Sequence, residues 1–249
     1  MEIIGALIAG GAIGAVLGFV GAGGAMLSVP ILMYGFGFDA KSATTAALAV
    51  VLLAALSGAI PKARKGQILY RDALVIVGLG LVTNLGFASI VEDLSNSFIS
   101  TGFAAMLILA GLSMLRTPKF SEQTRMPFSV LIVMSLVIGS ITGLFGIGGG
   151  FLAIPILVLF FKNTPAKAAG TSLAIISLNS LTAFLGHFQG WSSVDWTVPI
   201  SMAIAAVVVA RLASIKSVDV KPEILRYGFV LLLFSISIFT LAETWILAP

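Results

Sequence analysis

A glycine-rich motif occurs twice in this chain and constrains its fold more than any other feature. Residues 18–30 read GFVGAGGAMLSVP, and residues 143–155 read GLFGIGGGFLAIP. Four glycines, a leucine and the proline recur 125 positions later, and each copy lies within a long apolar run. Clustered glycines weaken a helix, and a membrane tolerates irregular backbone only where protein buries it or where it lines a cavity. The repeat therefore predicts two broken helices at corresponding places in a duplicated membrane protein.

The composition independently indicates a membrane protein. Of the 249 residues, 59% are hydrophobic and 10% are charged, whereas a soluble domain carries about 25% charged residues. The mean hydropathy is +1.13. We therefore predict an all-α integral membrane protein with many passes, located in the inner (plasma) membrane. Its first apolar run has no preceding Lys or Arg and exceeds signal-peptide length, which favours a retained membrane segment.

Several function classes are disfavoured by residues that the sequence lacks. It contains no cysteine and a single histidine, His187. Disulfides, thiolate nucleophiles, cysteine-ligated metals and two-histidine metal motifs are therefore excluded. No HExxH motif, P-loop or basic block is present, so we expect no enzyme, no direct use of ATP and no nucleic-acid partner. The sequence predicts no metal and no cofactor, and it leaves a homo-oligomer open.

The apolar segments divide the chain into two similar halves. The predicted full spans cover residues 3–20, 43–60, 73–91, 97–115, 128–145, 168–186, 197–211 and 227–247. Shorter helices are predicted after each glycine motif, at 25–37 and 151–161. The polar stretch 116–127 separates a first repeat, 1–115, from a second repeat, 128–249. Further matches at offsets of 124 to 126 support the duplication, namely Lys41 with Lys167, Thr45 with Thr171, and Gly66 with Gly190.

The distribution of basic residues predicts the orientation of the two halves. The loops 61–71, 116–126 and 211–226 carry 11 of the 14 Lys and Arg residues, whereas 92–96 and 187–196 carry none. Basic loops face the cytoplasm. If each glycine motif returns the chain to the side from which it came, both termini lie outside. The two halves then have inverted topology, an arrangement common among transporters.

Four segments carry a resemblance to a known family. They are GAGGAMLSVPIL (21–32), GIGGGFLAIPIL (146–157), KAAGTSLA (167–174) and HFQGWSSVDW (187–196). With these motifs the chain resembles the TauE/SafE family of membrane transporters over essentially its whole length. The resemblance implies a multi-pass helical protein that exports sulfite, sulfonates or related small anions. The first half departs from the pattern, since it has TTAALA (44–49) where the second half has GTSLA.

The glycine motifs also predict an anion site. A helix N-terminus presents unpaired N–H groups and a partial positive charge, and glycines let an anion approach them closely. Two such ends facing one cavity near the membrane midplane would hold a small oxyanion, with hydroxyl and amide side chains as further donors. Packing between helices is the alternative role for glycines in a membrane. The candidate substrate-binding residues are Gly23, Gly24, Gly148, Gly149, Gly150, Thr44, Thr45, Thr171, Ser172, Asn84 and Asn179.

The sequence thus predicts a secondary transporter that binds a small oxyanion between the two glycine-rich helix ends and works by alternating access. The direction, export, is what the resemblance implies. An anion channel of the same fold is the alternative. The expected partners are a small inorganic or organic anion and the lipid bilayer. The basic residues Lys41 and Lys167 are interpreted as snorkelling side chains at the interfaces, and His187 as a loop histidine.

Overall fold

The regular structure of the protein is helical wherever the chain is described. A computed structural model describes residues 2–22, 24–88, 96–115, 128–145, 165–217 and 222–247. The α-helices in these ranges are α1 (Glu2–Val20), α2 (Gly24–Pro30), α3 (Ala40–Arg64), α4 (Tyr70–Ala88), α5 (Asn96–Leu115), α6 (Phe128–Phe145), α7 (Pro165–Gly186), α8 (Thr197–Lys216) and α9 (Pro222–Ala242). Short π-helical turns follow α2 at Ile31–Gly35 and α9 at Glu243–Leu247, and a 3-10 helix spans Phe188–Ser193.

The helices confirm the predicted class, an all-α membrane protein. The segments Glu2–Val20, Ser42–Arg64, Ala166–Gly186 and Thr197–Lys216 each combine the length and hydropathy needed to cross a bilayer. Two spans end later in the chain than predicted. Helix α3 continues through Pro61 to Arg64 instead of ending at residue 60, and α8 continues to Lys216. A proline removes one donor but does not always stop a helix; here the Lys65 amide still donates to the Pro61 carbonyl at 3.3 Å.

The first glycine motif forms a turn between a longer and a shorter helix, as predicted. Helix α1 ends at Val20 and α2 begins at Gly24, with Gly21 at φ +82° between them. A Cβ placed on Gly24 would lie 3.0 Å from the Ile13 carbonyl oxygen, and a Cβ placed on Gly5 would lie 3.6 Å from the Phe36 ring. Because residue 24 lies beside 13 and residue 36 beside 5, the chain returns along α1 toward its start. The second motif lies outside the described residues.

Small residues bring α1 and α8 into close contact. Gly10, Gly14 and Gly18 face the α8 backbone at Met202, Ala206 and Ala210, and a Cβ on any of the three glycines would overlap it. A matching contact also joins the two halves, in which Gly139 of α6 packs on Gly80 of α4. Gly139 follows Gly14 by 125 positions, and Ala206 follows Gly80 by 126. The pairs α1–α8 and α6–α4 therefore correspond, and these glycines serve close packing.

Helices α3 and α7 form the antiparallel centre of the structure. Thr45, near the start of α3, contacts His187 just beyond the end of α7. Thr171, near the start of α7, contacts Leu69 just beyond the end of α3. The side of α3 that faces its neighbours is rich in small apolar residues. Six of them are fully or nearly fully buried: Ala43, Ala46, Ala47, Val50, Ala54 and Ala55. Small side chains allow the central helices to approach closely.

Candidate functional site

Two repeat-related threonines each contact the loop that follows the central helix of the other half. Thr45 Oγ1 lies 3.2 Å from Nδ1 of His187, and the Leu69 amide donates to Thr171 Oγ1 at 3.0 Å. Both threonines are buried. The contact is reciprocal, since α3 provides Thr45 to the loop after α7, and α7 provides Thr171 to the loop after α3. Buried hydroxyls therefore mark both ends of the central helix pair.

The structure does not bring these two threonines to one small anion. Lys62 of α3 lies beside Gly170, the neighbour of Thr171. The chain from Thr45 to Lys62 is helical throughout, and 17 residues at about 1.5 Å each separate the two ends by about 25 Å. The interpretation of Thr45 and Thr171 as donors to the same anion is therefore corrected. Equivalent residues of two antiparallel helices meet only near the middle of the pair.

The first glycine turn lies near one end of the structure and not at the middle of the helices. Gly18 packs on Ala210 and Ala213, and Ala213 is within about one turn of the end of α8 at Lys216. Beyond it, a Cβ on Gly21 would lie 2.6 Å from Ala169 Cα in the second turn of α7. This end carries the basic loops after α3 and α8. The first glycine turn therefore packs against the end of α8 and the start of α7, and its position at the midplane stays a prediction.

The remaining candidates differ in their burial. Ser172 and Asn179 on α7 are buried, and Thr44 and Asn84 are half-buried. Asn179 lies about halfway along α7 between its two threonine contacts. Gly24 is buried at the start of α2, whereas Gly23, Gly148, Gly149 and Gly150 lie outside the described residues. Asn179 is therefore a buried amide midway between the two ends of the central helices.

Sequence reasoning missed a second polar group beside Asn179. Ser180 is fully buried, and its hydroxyl has no hydrogen-bond partner in the described structure. Buried hydroxyls in proteins are almost always paired, as Ser177 is with the Leu173 carbonyl at 2.7 Å. Ser180 therefore offers an unused donor and acceptor midway along the central helices. No motif marks it, because an isolated serine in an apolar helix usually bonds its own backbone.

Lys62 is the second group that sequence reasoning missed. We expected it in a solvated loop, but it lies in the last turn of α3 and is 2% exposed. Its Nζ donates to Ser217 Oγ at 2.6 Å, and Ser217 Oγ donates to the Ser214 carbonyl at 2.8 Å. Ser214 in turn donates to the Gly58 carbonyl at 2.7 Å. These bonds join the ends of α3 and α8 around a buried ammonium group.

Aromatic side chains gather at the opposite end, around the loop after α7. The rings of Phe184 and Trp191 stack at 4.5 Å, and Trp196 packs edge-on to Phe184 at 6.1 Å. The Trp191 indole N–H donates to the Phe184 carbonyl, and the Trp196 indole N–H donates to the Trp191 carbonyl. Tryptophan favours the membrane–water interface. Asp195 lies in the same loop. The backbone N–H of Thr197 donates a hydrogen bond to the Asp195 carboxylate, which holds the pKa of that exposed carboxyl below its usual value.

The buried polar groups of the described residues have a consistent chemistry. They comprise twelve hydroxyl side chains, the amide of Asn179 and the ammonium of Lys62, and no carboxylate is among them. Seven of the hydroxyls already donate their proton to a backbone carbonyl, whereas the Ser180 hydroxyl has no partner among the described residues and the ammonium adds a positive charge. Within the described ranges, then, the interior suits a negatively charged solute better than a cation. The hydroxyl residues are Ser28, Ser42, Thr45, Ser57, Ser135, Thr171, Ser172, Ser177, Ser180, Ser214, Ser217 and Ser237.

Membrane-crossing helices, a glycine turn and buried polar groups between central helices define a polytopic membrane protein of the transporter class. The chain belongs to the TauE/SafE family, since the family described as "Sulfite exporter TauE/SafE" matches residues 6–240.

Comparison with individual proteins agrees with this assignment. A "Probable membrane transporter protein" of Xylella fastidiosa (strain 9a5c) is 26% identical over 245 residues, covering 95% of this chain and 94% of that protein. The "Probable membrane transporter protein YunE" of Bacillus subtilis (strain 168) is 29% identical over 223 residues, covering 78% and 80%. No solved structure matches the chain at a significant level. The protein is therefore a membrane transporter.

Proposed function

We propose that the protein is a secondary transporter of the inner (plasma) membrane that exports a small oxyanion such as sulfite or an organosulfonate. The observation that carries this proposal is the chemistry of the described interior, which has hydroxyls, an amide and an ammonium but no buried carboxylate. Burying an ion requires compensating hydrogen bonds or charge. An anion finds a positive charge at Lys62 and an unpaired hydroxyl at Ser180, whereas a cation finds no opposite charge among the described buried residues. The family's description, sulfite exporter, agrees with this solute class and direction.

The proposed binding groups are the backbone N–H groups that follow the glycine turns. In the first half these belong to Gly23 and Gly24, and α2 continues directly into the π-helical turn that ends at Gly35. In the second half they belong to residues 148–150. A partly buried helix end contributes up to ~2 kcal/mol to anion binding, and a hydrogen bond to a charged group ~1.5–3 kcal/mol. Such contacts are strong enough to select an anion and weak enough to release it.

The threonines then serve successive stages of transport. Because Thr171 lies near the first glycine turn and Thr45 lies about 25 Å away along α3, we assign them to opposite ends of the path. Asn179 and Ser180 lie between them. Rocking one half against the other would expose the bound anion to each side in turn.

This mechanism predicts that backbone donors matter more than the charge of Lys167. Gly149→Val should abolish sulfite transport while membrane insertion persists, because a branched side chain blocks access to the N–H groups of the second motif. The matched control is Lys167→Gln, which should reduce the rate much less. The measurement is uptake by liposomes that contain the purified variants. Normal transport by Gly149→Val together with no transport by Lys167→Gln would show that side-chain charge holds the anion instead.

We further propose that the two halves have opposite orientations in the membrane. The proposal is supported by the basic loops and by the reciprocal contacts of Thr45 and Thr171. The chain has no natural cysteine, so single introduced cysteines report the topology cleanly. Ser95→Cys and Ser193→Cys should react with an impermeant maleimide added to intact cells, whereas Ser121→Cys should react only after the membrane is opened. Labelling of position 121 in intact cells would refute the inversion.

A further inference from the structure

We propose that the Lys62 ammonium captures the transported anion at the cytoplasmic end of the central helices, before the anion reaches the first glycine turn. This inference rests on the proposed transport of an oxyanion. It adds a side-chain charge to a path that is otherwise lined by backbone N–H groups and hydroxyls. The buried end of α3, the Ser217 hydroxyl and the adjoining turn of α7 form this capture site.

The charge of Lys62 is buried with little compensation. Lys62 is 2% exposed, and within the described residues its ammonium donates to the Ser217 hydroxyl at 2.6 Å. A buried ammonium is normally paired with a carboxylate or with several acceptors, because one neutral hydroxyl does not offset its desolvation. In the described part of the chain no acid forms an ion pair with it. A visiting anion would supply the missing negative charge.

Lys62 also lies close to the first glycine turn. Ala169 of α7 packs against Gly21, and a Cβ on the next residue, Gly170, would lie 3.1 Å from Lys62 Cβ. The ammonium itself bonds Ser217, about one turn of α8 beyond Ser214, and the Ser214 amide nitrogen would lie 2.9 Å from a Cβ on Gly18. An anion released from the ammonium would therefore need to move along only about one turn of α8 to reach the residues that precede the glycine turn.

The loop that follows Lys62 contains a polar side-chain atom with no partner. The Gln67 amide N–H donates to the Lys62 carbonyl at 2.9 Å, which folds the loop after α3 back onto the helix. The side-chain oxygen of Gln67 is buried and has no hydrogen-bond partner in the described structure. Rotation of this side-chain amide would present its NH2 donors in place of the oxygen. Gln67 would then add donors at the same end of α3 as Lys62.

The test compares two lysines that differ in burial. Lys62→Gln and Lys65→Gln remove the same charge from the same end of α3, but Lys65 is exposed. The full chain is purified and placed in liposomes, and uptake of radiolabelled sulfite is measured over a range of concentrations. Lys62→Gln should raise KM by about tenfold or more, the effect of losing a charged hydrogen bond. Lys65→Gln should change KM by less than about twofold, as expected for an exposed charge.

A second variant keeps the inference testable if Lys62→Gln does not fold. Ser217→Ala leaves the ammonium in place but removes the hydroxyl that positions it. We expect a severalfold rise in KM with little change in kcat. An unchanged KM with a lower melting temperature would overturn the inference, because it would show that the Lys62–Ser217 bond only joins α3 to α8.

Two further outcomes would contradict the capture role. Equal KM values for Lys62→Gln and Lys65→Gln, with active wild-type protein, would overturn this inference alone. Asp219 is the acid nearest in sequence to Ser217, two residues after it. The inference is also overturned if Asp219→Asn reproduces the defect of Lys62→Gln and the double variant transports normally, since the lysine would then serve an internal ion pair. Wild-type protein that carries neither sulfite nor a sulfonate would instead overturn the proposed function, and this inference with it.

Discussion

Gly21→Val is expected to abolish transport and to reduce the yield of folded protein. Gly21 has φ +82°, a conformation that costs a non-glycine residue about 1–2 kcal/mol. In addition, the Cβ of a valine at position 21 would lie 2.6 Å from Ala169 Cα and 2.7 Å from the Ala169 carbonyl oxygen. These are backbone atoms of α7 that cannot rotate away. The substitution must therefore push the first glycine turn off the central helices.

Gly37→Val separates the two causes of this effect. Gly37 has φ +72°, so the substitution brings similar backbone strain, but no atom lies within 4 Å of the Cβ position. We expect Gly37→Val to lower the melting temperature modestly and to retain transport. Equal losses of transport in the two variants would mean that backbone strain, and not the contact with α7, explains the defect.

Gly14→Val is expected to prevent stable packing of α1 on α8. A Cβ at this position would lie 2.9 Å from Ala206 Cα and 3.0 Å from the Ala210 amide nitrogen, so the helices would have to separate. Overpacking a well-packed interface costs about 1–3 kcal/mol, and separation also removes close contacts on which membrane helices depend. The measurement is the melting temperature and the monodisperse fraction of the purified protein.

Gly11→Val is the matched control in the same helix. The atom of another residue nearest to its Cβ position is Val209 Cγ2 at 3.9 Å, an ordinary contact. We expect near-normal stability from this variant. If Gly11→Val destabilised the protein as much as Gly14→Val, the loss would reflect helix propensity or lipid contacts and not the close approach of α1 and α8.

Local features of the fold could be predicted from the sequence. The first glycine cluster ends α1 at Val20 because consecutive glycines favour a turn over a helix. The duplication also identified Thr45 and Thr171 as equivalent residues. Equivalence does not imply proximity, however, since the central helices run antiparallel and their corresponding ends are farthest apart. That separation depends on tertiary packing, which one half of the chain does not encode by itself.

The burial of Lys62 could not be predicted for a related reason. A proline followed by a run of basic residues indicates a solvated loop in a membrane protein. Here the helix passes through Pro61, and its last turn is covered by Ser217 of the second half and by the loop at Gln67. The partners of Lys62 come from distant parts of the chain. Ser180 was missed similarly, because an unpaired hydroxyl becomes visible only when the surrounding helices are placed.

The most direct test of the proposed function is sulfite flux through liposomes that contain only the purified protein. We predict saturable uptake of radiolabelled sulfite that competes with organosulfonates and is absent in Gly21→Val liposomes. Very fast flux that does not saturate and simply follows an imposed membrane potential would indicate an anion channel. Uptake of sulfite and organosulfonates no faster than in empty liposomes would contradict the assignment of this chain as an oxyanion transporter.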